Sequence, residues 1–108
     1  MNQELLNLTE LYFKAFKEKN IELLKSLYSE EVSLVDWTGQ WYGSESVLLS
    51  NSELFENDYE LVVNYSKLVD NTTYNSITIR FDSGPIDVLD VISFDENNKI
   101  HLIRAYKG

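Results

Sequence analysis

Apolar residues along this chain follow two different periods, and the change between them divides the sequence. Over the first third, Leu5, Leu8, Tyr12, Ala15 and Phe16 recur every three or four positions, with Lys14, Lys17 and Glu18 elsewhere. That spacing predicts an amphipathic helix with one buried stripe. Asn2 is read as its N-cap, and Lys17 and Lys19 suit the negative end of its dipole. Asn20 ends this helix and caps a short second one, Ile21 to Tyr28, whose stripe is Leu23, Leu24 and Leu27.

The period then drops to two. Val32, Leu34 and Asp36 share one face of a strand, with Ser33, Val35 and Trp37 on the other. Thr38-Gly39 turns the chain into a short strand, Gln40 to Tyr42, ending at Gly43. Ser44 is read as the N-cap of a third, weaker helix through Val47, Leu48 and Phe55. From Tyr59 to Val69 a strand sets Leu61, Val63 and Tyr65 against Glu60, Val62 and Asn64. Thr73 to Phe81 follows, with Ile77, Ile79 and Phe81 on one face. The turn Asp82-Ser83-Gly84-Pro85 leads to Ile86–Phe94, and Asp95-Glu96-Asn97-Asn98 to Lys99–Lys107.

Helices first and an antiparallel meander after them predict an α+β domain spanning residues 1–108, its helices on one face of a curled sheet. The strand Ile86–Phe94 is apolar on both faces: Val88, Ile92 and Phe94 against Leu89 and Val91. Helices can cover only one of them. The other is expected to meet a second subunit in a homodimer; a monomer whose curled sheet covers itself is the alternative.

Composition removes several classes of chemistry. With 108 residues, 44% hydrophobic, 4 Gly and 1 Pro, the chain reads as one packed globular domain. It has no cysteine, so disulfides, thiolate metal sites and a cysteine nucleophile are excluded, and one histidine, His101, allows no multi-histidine metal site within a chain. A net charge of −9 with scattered cations argues against nucleic acid and against an anionic membrane surface. No apolar run is long enough to span a bilayer, and Met1-Asn2-Gln3-Glu4 does not open a secretory signal, so a cytoplasmic address is expected.

Three polar side chains fall where the pattern expects hydrocarbon. Tyr12 lies on the inward stripe of the first helix, Asp36 beside Val32 and Leu34, and Asp90 beside Ile86, Val88, Ile92 and Phe94. A carboxyl carried onto an apolar face either finds a partner or stays protonated with a raised pKa, and neither aspartate has a cation nearby in sequence. Each position also has a structural reading. Tyr12 can be a core tyrosine whose hydroxyl reaches the surface, and Asp36 can cap the Trp37-Thr38-Gly39 turn. Asp90 can guard a strand against wrong pairing, or bond to a buried hydroxyl.

The sequence resembles the ketosteroid-isomerase-like (SnoaL-like) branch of the NTF2-like superfamily over essentially its whole length. The likeness rests on Tyr12-Phe13-Lys14-Ala15-Phe16 running into Lys19-Asn20-Ile21, and on Leu27-Tyr28-Ser29-Glu30-Glu31-Val32. It continues with Asp36 ahead of Gly39 and Gly43, then Asp87-Val88-Leu89-Asp90-Val91-Ile92-Ser93-Phe94-Asp95, Lys99-Ile100 and Arg104-Ala105. The resemblance implies a cone of helices over a strongly curved antiparallel sheet, with a deep apolar cavity between them. In site terms it implies Asp36 as general base, with Tyr12 and a protonated Asp90 as the two donors to a developing enolate oxygen. Val88, Ile92, Ile103 and Ala105 would wall the cavity, and His101, on the face of Ile103, would look into its floor or be a satisfied core histidine. The implied protein is a cofactor-independent, metal-free isomerase or related proton-transfer enzyme acting on a small apolar carbonyl compound. Trp37 stands where a proline commonly follows the base, and the stretch from Gly43 to Tyr59 is short, which implies a smaller pocket. A non-catalytic ligand-binding domain, or a dimerisation module with a collapsed pocket, is the alternative on the same fold.

Overall fold

A computed structural model describes residues 3–108; Asn2, expected as the first cap, lies outside the described residues. The chain forms α1 (Gln3–Glu18), α2 (Ile21–Leu27), β1 (Tyr28–Asp36), β2 (Gly39–Tyr42), α3 (Ser44–Leu54), β3 (Tyr59–Val69), β4 (Thr72–Phe81), β5 (Gly84–Phe94) and β6 (Ile100–Lys107). The strands make one six-stranded sheet in the order β2-β1-β6-β5-β4-β3. Every neighbouring pair is antiparallel except β1 and β6, which run parallel, so the sheet is mixed and not antiparallel throughout. A parallel pair needs a long crossover. Here β2, α3 and the β3–β5 meander together form it.

Helix boundaries follow local chemistry. The Asn20 side chain accepts from the Leu23 backbone N–H at 3.0 Å, capping α2 as expected. The second helix stops one residue early, because Tyr28 turns extended (φ −84°, ψ 143°) and pairs with Ile100 at the start of β1. Ser44 is the first helical residue of α3 and not its cap. The cap position is Gly43, at φ 90° and with no side-chain hydrogen bond, because leaving β2 requires a left-handed backbone that glycine tolerates best.

Alternation along the strands predicts the inward faces correctly until a bulge intervenes. In the β3–β4 ladder Val63 pairs with Ile77 but Tyr65 with Ser76, so Asn64 is an extra residue. Tyr65 is thereby rotated off the face of Leu61 and Val63 and onto the outer surface, 62% exposed. The β4–β5 hairpin is also tighter than expected: β5 already starts at Gly84 (φ 126°), leaving Asp82-Ser83 as the loop.

The core lies between the helices and the inner face of the sheet. It joins Tyr12, Phe13 and Phe16 of α1 and Leu24 of α2 to Val32, Ile77, Val88, Ile92, Phe94, Ile100 and Ile103 of the strands. A buried polar thread runs through it. Thr9 and Thr73 hydroxyls meet at 3.1 Å, and the Asn75 amide donates to Thr73 Oγ1 at 3.1 Å and to the Asp90 backbone oxygen at 3.0 Å. Buried groups satisfied in this way pin α1 to β4 and fix the segment of β5 that bears Asp90.

Candidate functional site

Where α1 and α3 part over the sheet, a cavity of about 400 Å³ opens. Its walls are mostly apolar, including Phe13 and Phe16 of α1, Leu61 of β3 and Ile77 and Ile79 of β4. A volume of that order suits a small organic ligand. Tyr12, Asp36 and Asp90, from three different elements, all line it.

Asp90 is 7% exposed. Burial pushes its carboxyl from 3.8 up to about 7, and the Asp36 carboxylate adds to the rise. The Asn75 amide donates to its backbone oxygen, while among the described residues no hydrogen bond reaches its carboxyl, which lies at the cavity. At neutral pH a large share of Asp90 is protonated, so it can donate.

Tyr12 is 3% exposed and held by edge and tilted contacts with the rings of Phe13, Phe16 and Tyr28, at 5.1, 4.8 and 6.5 Å between centroids. Burial raises its pKa well above 10, and the Asp90 charge raises it further. The hydroxyl therefore remains a donor across the working pH range. Next to it, Tyr28 donates to Asn51 Oδ1 at 2.7 Å. Tyr28 is likewise pushed up by burial, and the Asp90 charge raises it further.

Asp36 combines both readings that its position allowed. Its Oδ1 accepts from the Thr38 N–H at 2.7 Å, the Thr38 hydroxyl at 2.7 Å and the Gly39 N–H at 3.2 Å, so it does cap the turn. Among the described residues Oδ2 has no such bond. One oxygen anchors the carboxylate and the other is available at the cavity.

The expected wall residues divide. Val88 and Ala105 line the cavity, while Ile92 and Ile103, both 0% exposed, are packed in the core and do not reach it. His101 is elsewhere. The β5–β6 register jumps from Ser93–Leu102 to Phe94–Ile100, leaving His101 as an extra residue that does not share the face of Ile103. It lines a shallow concavity with Ser29, Glu31, Tyr42 and Asp95, and its Nδ1 is buried without a hydrogen-bond partner among the described residues. It is therefore neither a cavity floor nor a satisfied core histidine.

Sequence reasoning passed over Tyr28 and Asn51. Asn51 is the fourth residue after Val47 on the buried side of α3 and is 5% exposed. A polar residue at helical spacing on an apolar face is the same signal that marked Asp90, and it was there to be read.

No protein-family model matches the chain, and neither does any curated protein sequence. Solved structures do. An NTF2-like protein of unknown function from Cytophaga hutchinsonii aligns with a TM-score of 0.85 at 15% identity, over 96% of this chain and 89% of that one. A candidate isomerase of the SnoaL-like family from Agrobacterium tumefaciens gives 0.82 at 18%, over 95% and 96%. A candidate ketosteroid isomerase from Kribbella flavida gives 0.90 at 14%, over 98% and 78%. At such identities the likeness establishes the fold alone: an α+β cone of the NTF2-like kind. Among the described residues, no helix is long and apolar enough to cross a membrane.

Proposed function

We propose that the protein is a cofactor-independent isomerase, or a related proton-transfer enzyme, acting on a small apolar carbonyl compound bound in the cavity. The observation that carries this reading is the buried, unpartnered Asp90 carboxyl beside the Tyr12 hydroxyl, with a second carboxyl, Asp36, lining the same space. Two donors suit an oxygen that gains negative charge, and a carboxylate suits the C–H next to it. Asp36 Oδ2 removes that proton. Tyr12 and neutral Asp90 hydrogen-bond the resulting enolate oxygen, and Asp36 returns the proton to a neighbouring carbon. The likeness to candidate isomerases of the same fold supports the choice.

The test is deuterium incorporation next to the carbonyl of a panel of ketones in D2O. Asp36→Asn is expected to lower exchange by about 10²–10⁴-fold. It keeps Oδ1 as the turn cap, so the melting temperature is expected to stay nearly unchanged. Exchange that survives Asp36→Asn refutes the base assignment.

The three hydrogen bonds to Asp36 Oδ1 favour a second reading, in which the carboxylate is structural and the cavity only binds. Under that reading Asp36→Asn retains ligand and no ketone exchanges at all.

We further infer a homodimer through the outer sheet face. Tyr65, Tyr74, Leu89 and Tyr106 project from that face, and the helices pack on the other. Exposed apolar area of this kind suits a self-complementary contact. On sequence grounds, we treat residues 1–108 as one domain working in the cytoplasm.

A further inference from the structure

The amide of Asn51 has three hydrogen-bonding functions and only one is used. Oδ1 accepts from the Tyr28 hydroxyl at 2.7 Å. The two N–H groups of Nδ2 then point away from Tyr28, and among the described residues they find no acceptor. Asn51 is nevertheless 5% exposed, and it lines the cavity. Nδ2 is not among the buried unpartnered side-chain atoms, so this donor is accessible at the cavity and free to bond an oxygen there.

The charge of the cavity narrows what that something is. Its lining holds Asp36, Glu53 and Asp90 and no Lys or Arg. A carboxylate on the ligand would be repelled, whereas a neutral carbonyl oxygen would not. We propose that Asn51 is a specificity-determining residue, whose Nδ2 binds a second carbonyl oxygen, so that the preferred ligand is a neutral dicarbonyl compound. This deepens the isomerase reading and rests on it only for the position of the first carbonyl, at Tyr12 and Asp90.

Hexane-2,5-dione and hexan-2-one differ by that second oxygen and are both neutral. Titrated into ¹⁵N-labelled protein, the dione is expected to bind about tenfold more tightly than the monoketone, the effect of one good hydrogen bond. The side-chain NH₂ resonances of Asn51 are expected to shift with the dione only. In Asn51→Leu and Asn51→Asp the affinity ratio is expected to fall near one; the aspartate keeps the acceptor for Tyr28 and so guards against loss of fold. Equal affinities in the unmodified protein, no binding of either compound, or a preference that survives both substitutions overturns the proposal. Deuterium exchange into the same two compounds reports separately on the base. A dione preference without exchange leaves Asn51 in its role and removes the proton-transfer reading.

Discussion

Replacing Asp90 by asparagine tests the central electrostatic feature of the cavity without changing its shape. The carboxyl ionises at about 7 in the folded chain against 3.8 ordinarily, first because it is buried and then because Asp36 is near. The native state therefore holds the proton more tightly than the unfolded state. Its contribution to stability is complete below about pH 4, is lost as pH rises, and is gone above about 7. The whole span corresponds to about 4 kcal/mol, at 1.36 kcal/mol for each tenfold difference in proton affinity. Between pH 5 and pH 8.5 the loss amounts to about 3 kcal/mol. An asparagine amide does not titrate, so the Asp90→Asn variant lacks this slope. Urea unfolding of both proteins across that pH range measures the difference directly, and the many surface carboxylates cancel between them. The variant is expected to gain about 3 kcal/mol on the unmodified protein from pH 5 to 8.5. Two parallel stability curves would show that Asp90 is ionised in the fold, and with it the second oxyanion donor would be lost.

Two other substitutions probe the remaining parts. Tyr12→Phe removes one donor and leaves the ring packing with Phe13, Phe16 and Tyr28, so turnover is expected to fall about 10²–10³-fold with little change in melting temperature; an unchanged kcat refutes the role. Leu89→Glu places a charge at the centre of the exposed apolar face, beside Ser76 and Tyr106, and is expected to convert a dimer to monomers in sedimentation velocity. An unmodified protein that already sediments as a monomer ends the dimer proposal.

Local chemistry was enough for most of the elements. The stripe of α1, the Asn20 cap and the alternation of β4 and β5 are properties of neighbouring residues, so they could be read along the chain. The anomaly of Tyr12, Asp36 and Asp90 was legible for the same reason, since a polar group on an apolar face is visible wherever the face can be inferred. What depended on partners could not be read this way. The bulge that turns Tyr65 outward exists only because β3 and β4 pair, and the one that displaces His101 only because β5 and β6 do. A one-residue slip moves a side chain to the other face, and nothing in β3 or β6 alone announces it. The division of the wall residues has a similar origin: Val88, Ile92, Ile103 and Ala105 all point inward, but the helices cover Ile92 and Ile103 and leave Val88 and Ala105 at the cavity. The sequence by itself determined which residues would be uncomfortable in a core. Only the tertiary structure decided which of them meet, because convergence on one cavity is set by how helices sit on a curved sheet and not by spacing along the chain.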